Sequence, residues 1–520
     1  MRGKRTRAWI AGLAGAAVVA GAATAVAVLR TQEEETPPLR IGSAYAPASL
    51  DPAVATDPGS RALAGSLYQS LLSYPPGSQP GAEPVPDAAE SCGFDGEELT
   101  VYRCTLRDGL TFSSGRPVTP HDVRFSVERA IALADQAGDP GPLAGVREVR
   151  VDGQDVVFRL DGPDATFPHA LASGAAAVVD RQDYEAGQPR TDGQVTGSGP
   201  YLLAGYEPGE YAELEPNPDY RGAARVPAQP VTVHYLPAGR LADAWQDDEF
   251  DVLDGSLPPE ELAAANQGGG DYRVQESAAT VTEVLAFDTA GDGPMAEPAA
   301  RRAAAALLDR EALARHVRHD TVEALYALVP VGYAGHGTPY FDAYEDRPSA
   351  GDLSRDLRQA GLTVPVALDL AYPAGPGEAA REAEAQLIAA QLGAEGLFDV
   401  TVRAHEPGQP RDADAYLTEW WPQSPDPAAF ADALLGPRDA LGTGFTDPDL
   451  DRPLDAARAE PDRSRAARDL AEADRLAADE APVLPVWQAE RLILHRPGVT
   501  GADRLTDASG AWRPWELARE

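Results

Sequence analysis

The chain has 520 residues, 82 Asp and Glu against 44 Lys and Arg, a formal charge of −38 and 43% hydrophobic residues. A length beyond the ~250–300 residues at which single cores stop growing implies two or three sub-domains and speaks against a disordered or fibrous chain. Nucleic acid is not expected as a partner, because phosphate neutralisation needs clustered cations and the single lysine is Lys4; an acidic surface serves solubility and identifies no ligand.

Arg2, Lys4, Arg5 and Arg7 precede an uncharged stretch from Ala8 to Leu29 that is long enough to cross a bilayer as a helix. The basic flank keeps that end cytoplasmic, so the residues after Arg30 are expected to be exported to the outer face of the cell membrane or secreted. Ala25-Val26-Ala27 offers a small-x-small cleavage site, which leaves open both a removed signal peptide and a retained membrane anchor. No cysteine follows the apolar stretch to accept a lipid. Thr31 to Pro38 is acidic and proline-ended, as a linker is, and folded structure is expected from Leu39. Cys92 and Cys104 are the only cysteines, near a turn signal at Cys92-Gly93-Phe94-Asp95-Gly96. In an oxidising compartment they are expected to form a local disulfide rather than a metal or redox pair.

The pattern from Leu99 to Leu106 predicts a strand, closed by a turn at Arg107-Asp108-Gly109. Thr119 is placed as an N-cap, Pro120 as a first helical residue and Asp122 as a first-turn acid; Val123, Val127 and Ile131 give the helix one apolar face. Further on, Val364, Val366, Leu368 and Leu370 alternate as a strand does. Glu378 to Leu392 is helical, with Ala383, Leu387, Ile388 and Leu392 on one face, and Phe398, Val400 and Val402 alternate again. Strand, helix and strand with short connections predict a parallel βαβ unit. The next strand, Ala415 to Glu419, ends at Trp420-Trp421. Ligands of open α/β sheets collect beyond the carboxyl ends of strands, so the tryptophan pair stands where a ligand is expected.

Five separated segments resemble the extracellular solute-binding protein family 5, the peptide- and nickel-binding components of ABC importers. The run from Leu106 to Arg129, LRDGLTFSSGRPVTPHDVRFSVER, is similar to the family signature almost throughout. Gly197-Ser198-Gly199-Pro200-Tyr201 resembles its G-[TS]-G-P-Y turn, with Asn217-Pro218-Asp219-Tyr220-Arg221-Gly222 following. Leu285-Ala286-Phe287-Asp288-Thr289, Leu308-Asp309-Arg310-Glu311-Ala312-Leu313 and Ala481-Pro482-Val483-Leu484-Pro485-Val486 come in the family order.

The resemblance implies an α/β, two-lobed periplasmic-binding-protein fold of type II, in its large form, with a hinge and an interlobe ligand cleft. Mapped onto this chain, 1–36 is an anchor or signal peptide with its linker; 37–60, 195–275 and 485–520 are the core of the first lobe; 61–194 is its extension; and 276–484 is the second lobe. The implied activity is capture of oligopeptides and delivery to an ABC permease by a monomer, with no catalysis and no cofactor. A non-peptide solute (modified peptide, glycoside or metal complex) and an anchored ligand sensor are the alternatives. In peptide-binding members an aspartate three residues after the first tryptophan grips the peptide's α-ammonium; here that position is Gln423. A neutral partner contributes about 0.5–1.5 kcal/mol against about 1.5–3 for a charged one, so recognition of the free amino end is expected to weaken.

Tyr45, Trp420, Trp421, Gln423 and Asp426 are the candidate ligand-binding residues. For the tryptophans the competing role is core packing; for Asp426 it is capping of the helix after Pro427. Gly197 and Gly199 lack the lysine and capped helix of a phosphate cradle, and the turn is expected to bring backbone close to the hinge. His316 and His319 lack a third metal ligand, and Asp447, Asp449 and Asp451 read as a helix start rather than a calcium loop. No nucleophile signature or carboxylate constellation for catalysis is found.

Overall fold

The computed structural model describes residues 37–520 except 139–140, 226–228, 256, 269, 407–408, 410 and 437–438. The basic and apolar segment with its linker, up to residue 36, lies outside the described residues. Among those described, no helix is long and apolar enough to cross a membrane.

Strand β1 (Leu39–Ser43) leads to helix α1 (Pro58–Leu67), capped by Asp57, whose side chain accepts the Ser60 amide. Strands β2 (Ala89–Phe94) and β3 (Val101–Leu106), helix α2 (Pro120–Ala137), and strands β4 (Val146–Asp152) and β5 (Asp155–Leu160) follow. The four strands form an antiparallel sheet in the order β2-β3-β5-β4. β3 begins two residues later than its apolar pattern predicts, because Leu99 has a φ of 52° and belongs to the turn. Cys92 and Cys104 stand directly opposite each other on β2 and β3 and are joined by a disulfide, with Cα atoms 4.1 Å apart. α2 is capped as expected: the Asp122 carboxylate accepts the Thr119 amide at 2.9 Å, and Val123 and Val127 are buried on its inner face.

Among the described residues, a second, mixed sheet has eleven strands, and two short two-stranded ribbons complete the β-structure. Further members of the large sheet are β6 (Tyr201–Glu207), β7 (Tyr211–Pro216), β8 (Val231–Tyr235), β9 (Val252–Leu253), β10 (Arg273–Phe287), β11 (Glu323–Ala324), β12 (Val366–Pro373), β13 (Phe398–His405), β14 (Ala415–Trp420) and β15 (Val483–His495). The spatial order is β13-β12-β14-β10-β15-β9-β1-β8-β7-β6, with β11 on β15. β10 and β15, of 15 and 13 residues, pair antiparallel along most of their length, with register breaks between Glu276 and Thr280 and between Glu283 and Val284. They join a β1 side, reached through β9, to a β14 side.

Among the helices, α3 (Arg310–His316) lies between β10 and β11 in the chain, α4 (Glu378–Gly393) between β12 and β13, and α5 (Arg463–Glu480) before β15. β12, α4 and β13 are the expected βαβ unit, with Val366 opposite Phe398 in a parallel pair. Ile388 and Leu392 of the expected face of α4 are buried and Leu387 packs half-buried on the same core, but the face is shifted: Arg381, Glu384 and Ala385 also turn inward and Ala383 is exposed. Arg318 and the Trp487 indole hold Glu384, and the carbonyls of Pro373 and Pro376 hold Arg381. These polar partners act together with the buried stripe of Ala385, Ile388 and Leu392 to fix how the helix is turned.

Among the described residues, three large apolar clusters result. One gathers Leu39, Ile41, Val231, Val233 and Ile493, and takes in Leu63 and Leu67 of α1. A second lies between the four-stranded sheet and α2, around Cys104, Phe158 and Val127. The third packs Val284, Leu368, Leu417, Val483 and Leu470. The Gly197–Gly199 turn sits against the end of α1: Gly199 donates to the Leu67 carbonyl at 3.1 Å, and a Cβ on Gly197 would stand 2.1 Å from that oxygen. The backbone it approaches is therefore Ser66–Tyr68, not the hinge expected from the motif. At the chain's end, Arg519 donates to the carbonyls of Pro37 and Pro38, each at 2.9 Å, and pairs with Asp251, which also accepts the Arg40 amide.

Candidate ligand-binding site

The register of the large sheet fixes three side chains in one row. Glu419 of β14 lies opposite Glu283 of β10, and Glu283 lies opposite Trp487 of β15. Above this row is a cavity of about 340 Å³ bounded by Tyr45, Arg381, Glu419, Trp421, Trp487 and Arg491. Its walls come from both sides of the β10–β15 pair: Tyr45 and Asp254 follow β1 and β9, whereas Arg318 and Arg381 come from the α3 and α4 side.

Tyr45 and Trp421 meet edge to face, with ring centroids 5.8 Å apart. The Arg491 guanidinium stands 5.8 Å from the Tyr45 ring and 5.6 Å from that of Trp421. Asp254 holds Arg491 in place, accepting at 2.8 Å through Oδ2 and at 3.2 Å through its backbone oxygen. The same Oδ2 accepts the Ser43 hydroxyl, whose oxygen in turn accepts the Tyr45 amide at 3.1 Å. Gly255 follows because a Cβ there would come within 2.0 Å of the Leu492 carbonyl, and its φ of +78° suits glycine. Burial, with Glu419 nearby, pushes the Tyr45 hydroxyl well above its ordinary pKa, so it stays protonated.

Trp421 separates this cavity from a second, of about 240 Å³, which Glu419, Trp420, Trp421, Gln423, His169 and Asp426 line. A third, of about 220 Å³, shares Arg61 and Gln423 with the second and reaches Tyr74, Trp512 and Arg513. Arg61 donates to the carbonyls of Trp421, Pro422 and Ser509 at 3.1, 2.8 and 2.8 Å, and burial pushes its guanidinium down to about 10. The segment after β14 is thereby pinned to α1 and to the loop near the chain's end.

The structure brings the five candidate residues to these adjoining cavities. Trp420 and Trp421 are both half-buried and pack on the third apolar cluster while also facing a cavity. The Trp420 indole donates to Ala429 O at 2.8 Å, and that of Trp421 to Glu419 Oε2 at 3.3 Å. Gln423 is half-buried and lines the second and third cavities. Asp426 caps the short helix after it by accepting the Ala428 amide, and Arg463 grips its carboxylate in a fork at 2.7 and 2.8 Å. Burial alone would raise that carboxyl, but the Arg463 fork brings it below the usual range. Asp426 thus serves the local fold while also lining the second cavity beside His169.

Absent from the sequence-based candidates are the charged groups beneath the first cavity. Arg318 forks onto Glu384 at 2.9 and 2.6 Å and lies 4.5 Å from the Trp487 ring centre, and the Trp487 indole donates to Glu384 at 2.7 Å. Glu283 is fully buried, and neither of its carboxyl oxygens has a hydrogen-bond partner among the described residues. Burial, reinforced by Glu384 and Glu419, pushes its carboxyl well above the ordinary range against the pull of Arg318 and Arg381. The single local signal for Glu283 is its place two residues before the Leu285–Thr289 motif. Among the described residues, no group of three His, Cys, Asp or Glu side chains is placed to hold a metal ion.

The model of bacterial extracellular solute-binding proteins, family 5 Middle, matches residues 83–442. The chain is 24% identical over 473 residues to the probable D,D-dipeptide-binding periplasmic protein DdpA of Escherichia coli, covering 86% of this chain and 88% of that one. The structure resembles the periplasmic binding protein DppA of Helicobacter pylori in complex with the peptide STSA, with a TM-score of 0.79 at 19% identity over 94% of this chain and 99% of the other. It also resembles the binding protein AgaA of A. tumefacien R10 in complex with agropinic acid, with a TM-score of 0.78 at 20% identity over 93% and 98%. These likenesses show the shared two-lobed α/β binding-protein fold.

Proposed function

Because the chain belongs to the bacterial extracellular solute-binding proteins of family 5, we propose that it captures short peptides outside the cell membrane and delivers them to the permease of an ABC importer. One lobe comprises 37–60, 195–275 and 485–520 with the extension 61–194, and the other 276–484. β10 and β15 are the crossings between them, and the lobes close on ligand by a hinge motion that the permease reads. The protein works as an exported monomer without catalysis of its own, tethered by the Ala8–Leu29 segment or released by cleavage near Ala27.

The observation that carries this reading is the meeting of two cavities at Trp421, walled by aromatic rings and backbone from both sides of the β10–β15 pair. Such walls accept varied side chains, while backbone groups and water hold a peptide main chain. A second reading, a non-peptide solute, is favoured by the neutral Gln423 and by the likeness to the agropinic acid complex.

Native mass spectrometry of residues 37–520, as purified and after mixing with short peptides, separates the two. Retained or added peptide masses support peptide capture; a protein that ignores every peptide moves the reading to a non-peptide solute.

A further inference from the structure

The carboxylates that face the two cavities at Trp421 differ in what already holds them. Asp426 is forked by Arg463, Asp432 is paired with Arg458 at 2.5 Å, and Asp254 is paired with Arg491 at 2.8 Å. Asp164 accepts the amide and hydroxyl of Thr166 at 2.8 and 2.6 Å, and Glu378 accepts the Gly375 amide at 3.1 Å. Glu490, which also lines the first cavity, is exposed to water. Glu419 is held more weakly than the first five and, unlike Glu490, is largely shielded from water. Its Oε2 accepts the Trp421 indole at 3.3 Å, and the Arg318 guanidinium 4.0 Å from its Oε1 is already forked onto Glu384.

Glu419 is also placed to meet a ligand from either cavity, since it lines both, and its side chain is 16% exposed. A carboxylate that is reachable but largely removed from water attracts a cation more strongly than one at the surface. Its backbone is fixed by pairing opposite Glu283, and the Trp421 ring, tied to it by the indole hydrogen bond, offers an aromatic face beside any cation it receives. Gln423, in the second cavity with it, supplies no charge.

We propose that Glu419 receives a primary ammonium group of the ligand through its carboxylate, supplying the negative charge that Gln423 lacks. The inference rests on the peptide-capture reading. The ammonium comes from the peptide's amino end or from a lysine side chain, and the same carboxylate serves either.

The test uses residues 37–520, which hold all three apolar cores, as wild type and as Glu419→Gln. Calorimetry measures Kd for Ala-Ala-Ala, its N-acetylated form and N-acetyl-Ala-Lys-Ala. Wild type is expected to bind at least one ammonium-bearing peptide about 10- to 100-fold more tightly than N-acetyl-Ala-Ala-Ala, the range that a charge-assisted hydrogen bond spans. Preference for Ala-Ala-Ala identifies the α-ammonium, and recovery by N-acetyl-Ala-Lys-Ala identifies the side chain; in both cases Glu419→Gln should remove the preference. Wild type indifferent to the ammonium overturns the inference whether or not the variant folds, and so does a folded Glu419→Gln protein that keeps the preference. Wild type that binds none of the three peptides overturns the peptide-capture reading itself, and the inference with it.

Discussion

The guanidinium of Arg61, on α1, donates to the backbone oxygen of Trp421 at 3.1 Å, across 360 residues of chain. Its second nitrogen binds the carbonyls of Pro422 and Ser509, so one side chain sets the position of the strand end that lines both main cavities. Arg61→Ala is expected to lower stability by about 2–4 kcal/mol, the range for losing charged hydrogen bonds and leaving carbonyls unpaired. Arg61→Lys should recover only part of this, because an ammonium cannot reproduce the planar fork. Denaturant unfolding followed by tryptophan fluorescence checks both, and unchanged midpoints for the two variants would count against the pin.

Glu283 should reveal itself through pH. Its folded-state pKa is raised by burial, so the folded protein keeps a proton that the unfolded chain releases. Its contribution to stability is full below the unfolded value of about 4.3 and is lost as pH rises towards the folded value, by about 1.4 kcal/mol per pH unit. Glu283→Gln has no such proton to lose. Relative to wild type, the variant is expected to gain stability steadily from pH 4 upward; parallel stability–pH curves for the two proteins would remove the raised pKa.

Asp474 of α5 combines burial with a structural task. Its carboxylate accepts the Leu328 amide at 2.9 Å and the Val329 amide at 3.4 Å, and burial pushes its pKa up to about 7. Asp474→Ala leaves two buried amides without a partner, a cost of about 1–3 kcal/mol each. Asp474→Asn keeps one acceptor and should cost less. Because the folded pKa is raised, wild type loses part of its advantage over the asparagine variant between pH 4 and pH 7, and thermal melts at pH 5 and pH 8 measure the difference.

The Cys92–Cys104 bridge closes a short loop within one hairpin. Replacing both cysteines by alanine is expected to cost about 2–3 kcal/mol, chiefly through the freed unfolded chain. Intact mass should rise by about 2 Da on reduction, and two thiols that alkylate without reductant would contradict the bridge.

The elements legible in the sequence were those whose signal is local. Thr119, Pro120 and Asp122 sit within one helical turn, and the alternation in Val366–Leu370 and Phe398–Val402 needs no distant partner to be read. The placement of Trp420 and Trp421 at a strand end followed in the same way. The buried charges did not, because Glu283, Arg318 and Glu384 lie on separate elements and become neighbours only when β10, the residues after α3, and α4 pack together. One edge of the inward face of α4 was misread for that reason: Ile388 and Leu392 face the core as expected, but a helical wheel ranks Ala383 above Glu384, which the Arg318 and Trp487 partners draw inward. The Gly197–Gly199 turn shows a related limit. A glycine pattern announces a close approach but not the backbone approached, which here is the end of α1.

The grip of Arg519 on the carbonyls of Pro37 and Pro38 places the last turn of the chain beside its first described residues. A dye, a surface linker or a fused domain attached after Glu520 therefore departs from the same patch as whatever precedes Pro37. Labels at the two ends make a short-range pair that is nearly blind to the proposed closure about β10 and β15, whereas a label on β13, at the far edge of the large sheet, paired with either end would follow it.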